Sequence, residues 1–184
     1  MIFLITSFTL LLVNCEKEIE YPAAPIHFAG NQEFGWSIAT KNGQPFEASS
    51  FALRNRDEPN TFFTINFISY TDWSAMREAI FIGELYDKVG LRQVVEQDDD
   101  LENGRPVATY STRSDDGDVL EDFYKIDPRQ DNWIEITNID TTSQVQTVSG
   151  RYNLHFKIYR EKRNPLNPDH VRFTDGNSEV RFEQ

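Results

Sequence analysis

The side chains able to do chemistry in this 184-residue chain are one thiol, three imidazoles, three indoles and a surplus of carboxylates. Cys15 is the single cysteine, so no disulfide can close within the chain. What remains to it is the chemistry of a sulfur nucleophile, reactive as the thiolate. His27, His155 and His170 lie far apart and lack the short ligand spacing of a zinc site. His155 falls on the polar face of its strand and reads as solvent-facing. Calcium takes several oxygens, and two acidic runs offer them: Gln97 to Asn103 and Asp115-Asp116-Gly117-Asp118. In the first, Asp98, Asp100 and Glu102 alternate, but the places where a calcium loop needs Gly and Glu hold Asn103 and Thr109. It reads as a solvated loop, and the second run as a hairpin turn. The chain has no Gly-x-Ser-x-Gly, phosphate loop or dinucleotide fingerprint. A glycosidase-like carboxylate pair would need two carboxyls in one cleft, and the sequence singles out none. The expectation is therefore no catalytic group, no metal site and no cofactor. Tryptophan can stack on a sugar or a peptide. Trp36 and Trp133 fall in predicted strands and are expected in the core or at a sheet edge. Trp73 follows Tyr70 in a turn-rich stretch, which makes Tyr70 and Trp73 the candidate stacking platform.

The elements that must position these residues are strands. Phe34, Trp36 and Ile38 alternate with Gly35, Ser37 and Ala39, the period of a half-buried strand. Asn42-Gly43 is a hairpin signal, and 45–53 is the return strand. Phe63, Ile65 and Phe67 share one face of a strand over 61–70. Further strands are predicted around Ile80 and Ile82, over 90–95, and at 107–113 and 119–126 around a turn at 114–118. Others cover 133–139 and 148–160, the latter with Tyr152, Leu154, Phe156 and Ile158 on one face. The last runs from Val171 to Phe182, with Asp175-Gly176 as a turn or bulge that shifts its apolar parity. One helical turn is expected over 72–79, with Asp72 as its cap. Loops fall at 55–60, 97–106 and 161–170. Many short strands between turn signals predict an all-β fold, an antiparallel β-sandwich or partly open β-barrel with at most one short helix.

Residues 1–14 form an apolar segment without charge, too short to span a bilayer, which takes about 20 residues, and fit for the core of a secretory signal. The chain turns polar directly after Cys15. Leu12-Val13-Asn14-Cys15 resembles the lipid-attachment site of a bacterial lipoprotein, in which the cysteine sulfur takes up diacylglycerol and becomes the mature amino terminus. Asn14 stands where a smaller residue is usual, and no Lys or Arg precedes the apolar run. Residues 15–32 then read as a lipid-anchored tether, with Tyr21-Pro-Ala-Ala-Pro25 favouring an extended path. Two or three acyl chains would hold such a protein at a membrane, since each buried CH₂ contributes about 0.8 kcal/mol. Residues 33–184 are expected to form a single β-domain. The net charge of −12 argues against nucleic acid, which calls for a basic surface.

With its strands laid out, the chain resembles an uncharacterised family of short β-rich lipoproteins from the Bacteroidota. The likeness is carried by Val13-Asn14-Cys15, by the opening hairpin around Trp36, Asn42-Gly43, Phe46 and Ala48, by Ile134 to Asp140 followed by Val148 to Phe156, and by Phe173-Thr-Asp-Gly176 with Val180 to Phe182. The resemblance implies an antiparallel sandwich or barrel of calycin-like appearance and brings no catalytic residue with it. The acidic start Glu16 to Glu20 reads first as a solvated linker and also resembles the signal that sends some lipoproteins of that group to the cell surface. The expected role is a non-enzymatic binding or envelope-associated one, at the outer membrane and facing periplasm or cell surface. The partner would be a small molecule, a glycan or an envelope protein. A carboxylate-dependent hydrolase and a purely structural or assembly lipoprotein are the alternatives.

Overall fold

The computed structural model describes residues 35–54, 62–71, 74–96, 105–143 and 145–182. The predicted signal segment 1–14, Cys15, the predicted tether 15–32, His27, Asp72, Trp73 and the acidic run 97–103 lie outside the described residues. The strands are β1 (Gly35–Lys41), β2 (Gln44–Arg54), β3 (Phe62–Tyr70), β4 (Met76–Tyr86), β5 (Gly90–Gln93), β6 (Val107–Arg113), β7 (Leu120–Ile126), β8 (Trp133–Asp140), β9 (Thr147–Ile158) and β10 (His170–Phe182).

Eight of them, β1-β2-β3-β4-β6-β7-β9-β10, close on themselves as an antiparallel barrel, because β1 pairs with both β2 and β10. The fold is thus the barrel, not the sandwich. β8 and β5 extend it: β9 pairs with β7 along its second half and with β8 along its first, and β5 adds to β8. β7 and β8 therefore lie end to end along one neighbour, separated by residues 127–132. One rim of the barrel carries the β1–β2 turn and the segments 71–75, 114–119 and 159–169. The chain enters β1 at the opposite rim.

The sequence builds this ring through period-two alternation. Phe63, Ile65 and Phe67 of β3 and Tyr152, Leu154 and Phe156 of β9 point inward and are almost fully buried, as their spacing predicts. Rings fill the interior. Tyr152 stacks on Phe67 with centroids 5.0 Å apart, and Tyr110 lies 5.1 Å from Tyr124 and 5.3 Å from Phe173. Each such side chain contributes about 1.5–3 kcal/mol on burial. The predicted bulge is present: the β9–β10 register shifts between Phe173 and Gly176, and Asp175 adopts φ 56°. Asn42 and Gly43, at φ 48° and 83°, make the tight first turn.

Two expectations fail for local reasons. Trp36 is 46% exposed and Ile38 45%, while Ser37 between them is fully buried. Tyr152 occupies the interior at that height, and Ser37 Oγ hydrogen-bonds its hydroxyl at 2.8 Å. A Cβ on Gly35 would come within 1.9 Å of the Glu179 carbonyl oxygen. From Gly35 to Ala39 only small residues fit inward, so Trp36 and Ile38 face out. The described part of 72–79 also carries no helical turn: no helix occurs among the described residues, and Met76 to Ala79 belong to β4. Before them, Ser74 N–H donates to the Thr71 carbonyl at 2.9 Å and Thr71 N–H to Ala75 at 2.8 Å. This tight turn, with Ser74 at φ 67°, returns the chain into pairing with β3.

Candidate functional site

Two polar clusters sit at the rim that bears the hairpin turns. The first faces inward. The register aligns Glu78 of β4 with Thr112 of β6, and Thr112 with Asp122 of β7. Lys41, at the end of β1, pairs with Glu78 at 2.5 Å. Asp122 is only 2% exposed, and the segment 159–169 spends two donors on it. Arg163 N–H donates to Asp122 Oδ1 at 2.8 Å, and Asn167 Nδ2 to Oδ2 at 2.7 Å and to Thr112 Oγ1 at 3.1 Å. The Tyr124 hydroxyl donates to the Pro168 carbonyl at 2.9 Å. The segment is thereby latched onto the rim. Burial, with the Asp122 charge behind it, pushes the Tyr124 phenol above its ordinary range; burial and then Glu78 do the same for Tyr110. Two carboxylates thus converge, which a hydrolase would need. Both oxygens of Asp122 are engaged by the chain's own donors, however, and Glu78 is held by Lys41. The arrangement fastens the loop.

The second cluster faces outward and forms a pocket of about 280 Å³ lined by Asn42, Asp127, Gln130, His155, His170 and Arg172. Its floor is the break between β7 and β8. There Asn132 replaces missing strand: its Oδ1 accepts the His155 backbone N–H at 2.7 Å, and its Nδ2 donates to the Asp127 carbonyl at 2.8 Å. Asp127 is nearly buried, its Oδ1 accepting Arg129 N–H at 3.1 Å. Cross-strand pairing sets His155 opposite Arg172 and His170 opposite Lys157, which puts both imidazoles on the outer face of adjacent strands. His170 Nδ1 lies 3.9 Å from Asp127 Oδ2. His155 Nδ1 is buried with no hydrogen-bond partner. Burial, and then the Arg172 charge, hold that ring below the usual histidine range. Asn42 Oδ1 accepts the Arg172 backbone N–H at 2.8 Å and ties the first turn to the pocket wall. Among the described residues no three His, Cys, Asp or Glu side chains are placed to hold a metal ion.

The predicted site residues divide differently. Tyr70 ends β3 half-buried, and burial raises its phenol. Trp73, its intended stacking partner, lies outside the described residues, as does Cys15. Asp116 of the second acidic run is a turn residue, accepting hydrogen bonds from Ser114 Oγ at 2.5 Å and Asp118 N–H at 3.2 Å.

No family model, curated protein or solved structure matches the chain. The site must be read from its own geometry. Sequence reasoning left His155 and His170 apart because it had the two strands but not their register. The outward parity of His155 was already legible, His170 fell in the predicted loop 161–170, and only the pairing of β9 with β10 brings them together.

Proposed function

We propose that this protein is an exported lipoprotein, held at the outer membrane through Cys15, whose barrel has a non-enzymatic binding role at the envelope. The observation that carries the binding role is the outer-wall pocket, where Asp127, His155, His170 and Arg172 meet in a concavity. The barrel interior is filled by its own rings, which moves the expected ligand from the interior to the wall. A pocket of about 280 Å³ lies just under the span of ligand sites, which run from about 300 to 1,000 Å³, and suits a small molecule or a single sugar residue. The anchor is supported by the apolar run, its ending at the only cysteine and the polar tether after it. A partner protein is the second reading, favoured by Trp36, Ile38 and Phe81, which stand exposed on the outer face.

Two experiments test this. Cys15→Ser should abolish acyl labelling and membrane fractionation; unchanged fractionation would remove the anchor. A thermal-shift screen of envelope sugars and small metabolites should give hits that His155→Ala or His170→Ala weakens. Hits indifferent to both would remove the pocket, and hits lost in Trp73→Ala would move binding to the Tyr70/Trp73 platform.

A further inference from the structure

We infer that the outer-wall pocket receives the anionic group of its ligand, a carboxylate or a phosphate. This rests on the binding reading above and specifies its chemistry. The pocket is rich in donors and poor in acceptors. Arg172 is exposed on β10 and makes no ion pair among the described residues, so its planar fork of N–H groups remains for a ligand. Asn42 has committed its oxygen to the backbone of Arg172, which leaves its amide N–H₂. His155 has its Nδ1 sealed without a partner; the neutral ring then carries its N–H on Nε2, the nitrogen left for a ligand. His170 and Gln130 add further N–H donors to the lining, beside Phe156 and Val171.

On the acceptor side stands Asp127, with Oδ1 taken by Arg129 N–H and Oδ2 facing His170. The charges around the pocket point the same way. The register runs Lys125, Lys157, His170 across β7, β9 and β10. Lys157 is shared with Glu96 at 3.4 Å, and Lys125 rests over the Tyr159 ring. Asp127, Asp131 and Glu96 are the opposing carboxylates. In a chain of net charge −12, cations here offset the neighbouring carboxylates, so an anion meets less repulsion than the net charge alone would impose.

The test follows the His155 and His170 imidazole resonances of the full chain by NMR, at constant ionic strength and pH 7.5. Inorganic phosphate, glucuronate and glucose are titrated separately. Saturable shifts with phosphate or glucuronate and none with glucose are expected, and the responding anion names the source. Arg172→Gln, an exposed substitution, should weaken that binding about tenfold or more, the worth of a charge-assisted hydrogen bond. Undiminished binding in Arg172→Gln, or no saturable shift with either anion, overturns the inference. Glucose binding as well as the anions would also overturn it while leaving the binding reading intact. Silence from all three would count against both.

Discussion

Adding one methyl at Gly176 should destabilise the barrel sharply. Gly176 pairs across the β9–β10 ladder with Tyr152, whose ring lies over it. A Cβ at this position would sit 2.5 Å from Tyr152 Cε2 and 2.6 Å from Cδ2 and Cε1, against an ordinary contact of 3.4–4 Å. Ring or strand must therefore yield by about 1 Å. The ring cannot move freely: Phe67 stacks on it at 5.0 Å and Ser37 holds its hydroxyl at 2.8 Å. Gly176 is not among the glycines with positive φ, so alanine is conformationally acceptable and the clash is the whole cost. Overpacking of this kind costs about 1–3 kcal/mol, and the pinned ring places Gly176→Ala near the upper figure. For a chain of this size that lowers Tm by roughly 6–12 °C. Denaturant unfolding followed by near-ultraviolet circular dichroism measures it, in the wild type and in a Tyr152→Leu background. Without the ring the methyl has room, so the same substitution should cost under about 1 kcal/mol there. A neutral Gly176→Ala, or an equal loss in both backgrounds, would refute the argument.

Asp122→Ala leaves the Arg163 N–H and the Asn167 amide without their acceptor. A loss of about 2–4 kcal/mol is expected, with faster amide exchange at Arg163 and through 159–169; unchanged protection there would contradict the latch. His155 is held below its ordinary value of 6.5, so the unfolded chain takes up its proton first as pH falls. Its contribution is complete above about pH 6.5 and is lost as pH drops through the folded value. His155→Gln should flatten the fall of Tm between pH 7 and 5, and an unaltered slope would show that other groups set it. Tyr110, Tyr124 and Tyr152 are raised chiefly by burial from an ordinary 10.0. Their contribution is full below about pH 10 and disappears as pH rises through the folded values. In an alkaline absorbance titration their tyrosinate signal should arrive together with unfolding; smooth ionisation of every tyrosine in the folded chain would be the contrary result.

Much of the barrel was legible in the sequence because period-two alternation is a local property. β3 and β9 display their inner faces openly, and the Asp175-Gly176 bulge announces itself where parity changes. β1 misleads for the opposite reason. Its alternation is clear, but which set turns inward depends on Tyr152, a residue far along the chain. Ser37 wins the interior from Trp36 on space and on a hydrogen bond. The turn at 71–75 was likewise hidden, since nothing in Ser74 signals a left-handed backbone. Of the site, the outward parity of His155 could be read. Its meeting with His170 and Asp127 could not, because it depends on register and on the interruption between β7 and β8.

The seam between β1 and β10 has a consequence for how the molecule comes into being. The first strand finds its partner in the last: Trp36 aligns with Glu179, and the end of β10 also touches β2 through Phe51 and Ala52. Contacts between distant parts of a chain form slowly, because a long loop must close first. A polypeptide emerging amino end first carries β1 and β2 with a free edge until its carboxyl end arrives. Until then that edge stays open to pairing with a neighbour. The ring closes only when β10 docks on β1, so a chain cut short before β10 would keep its edges open.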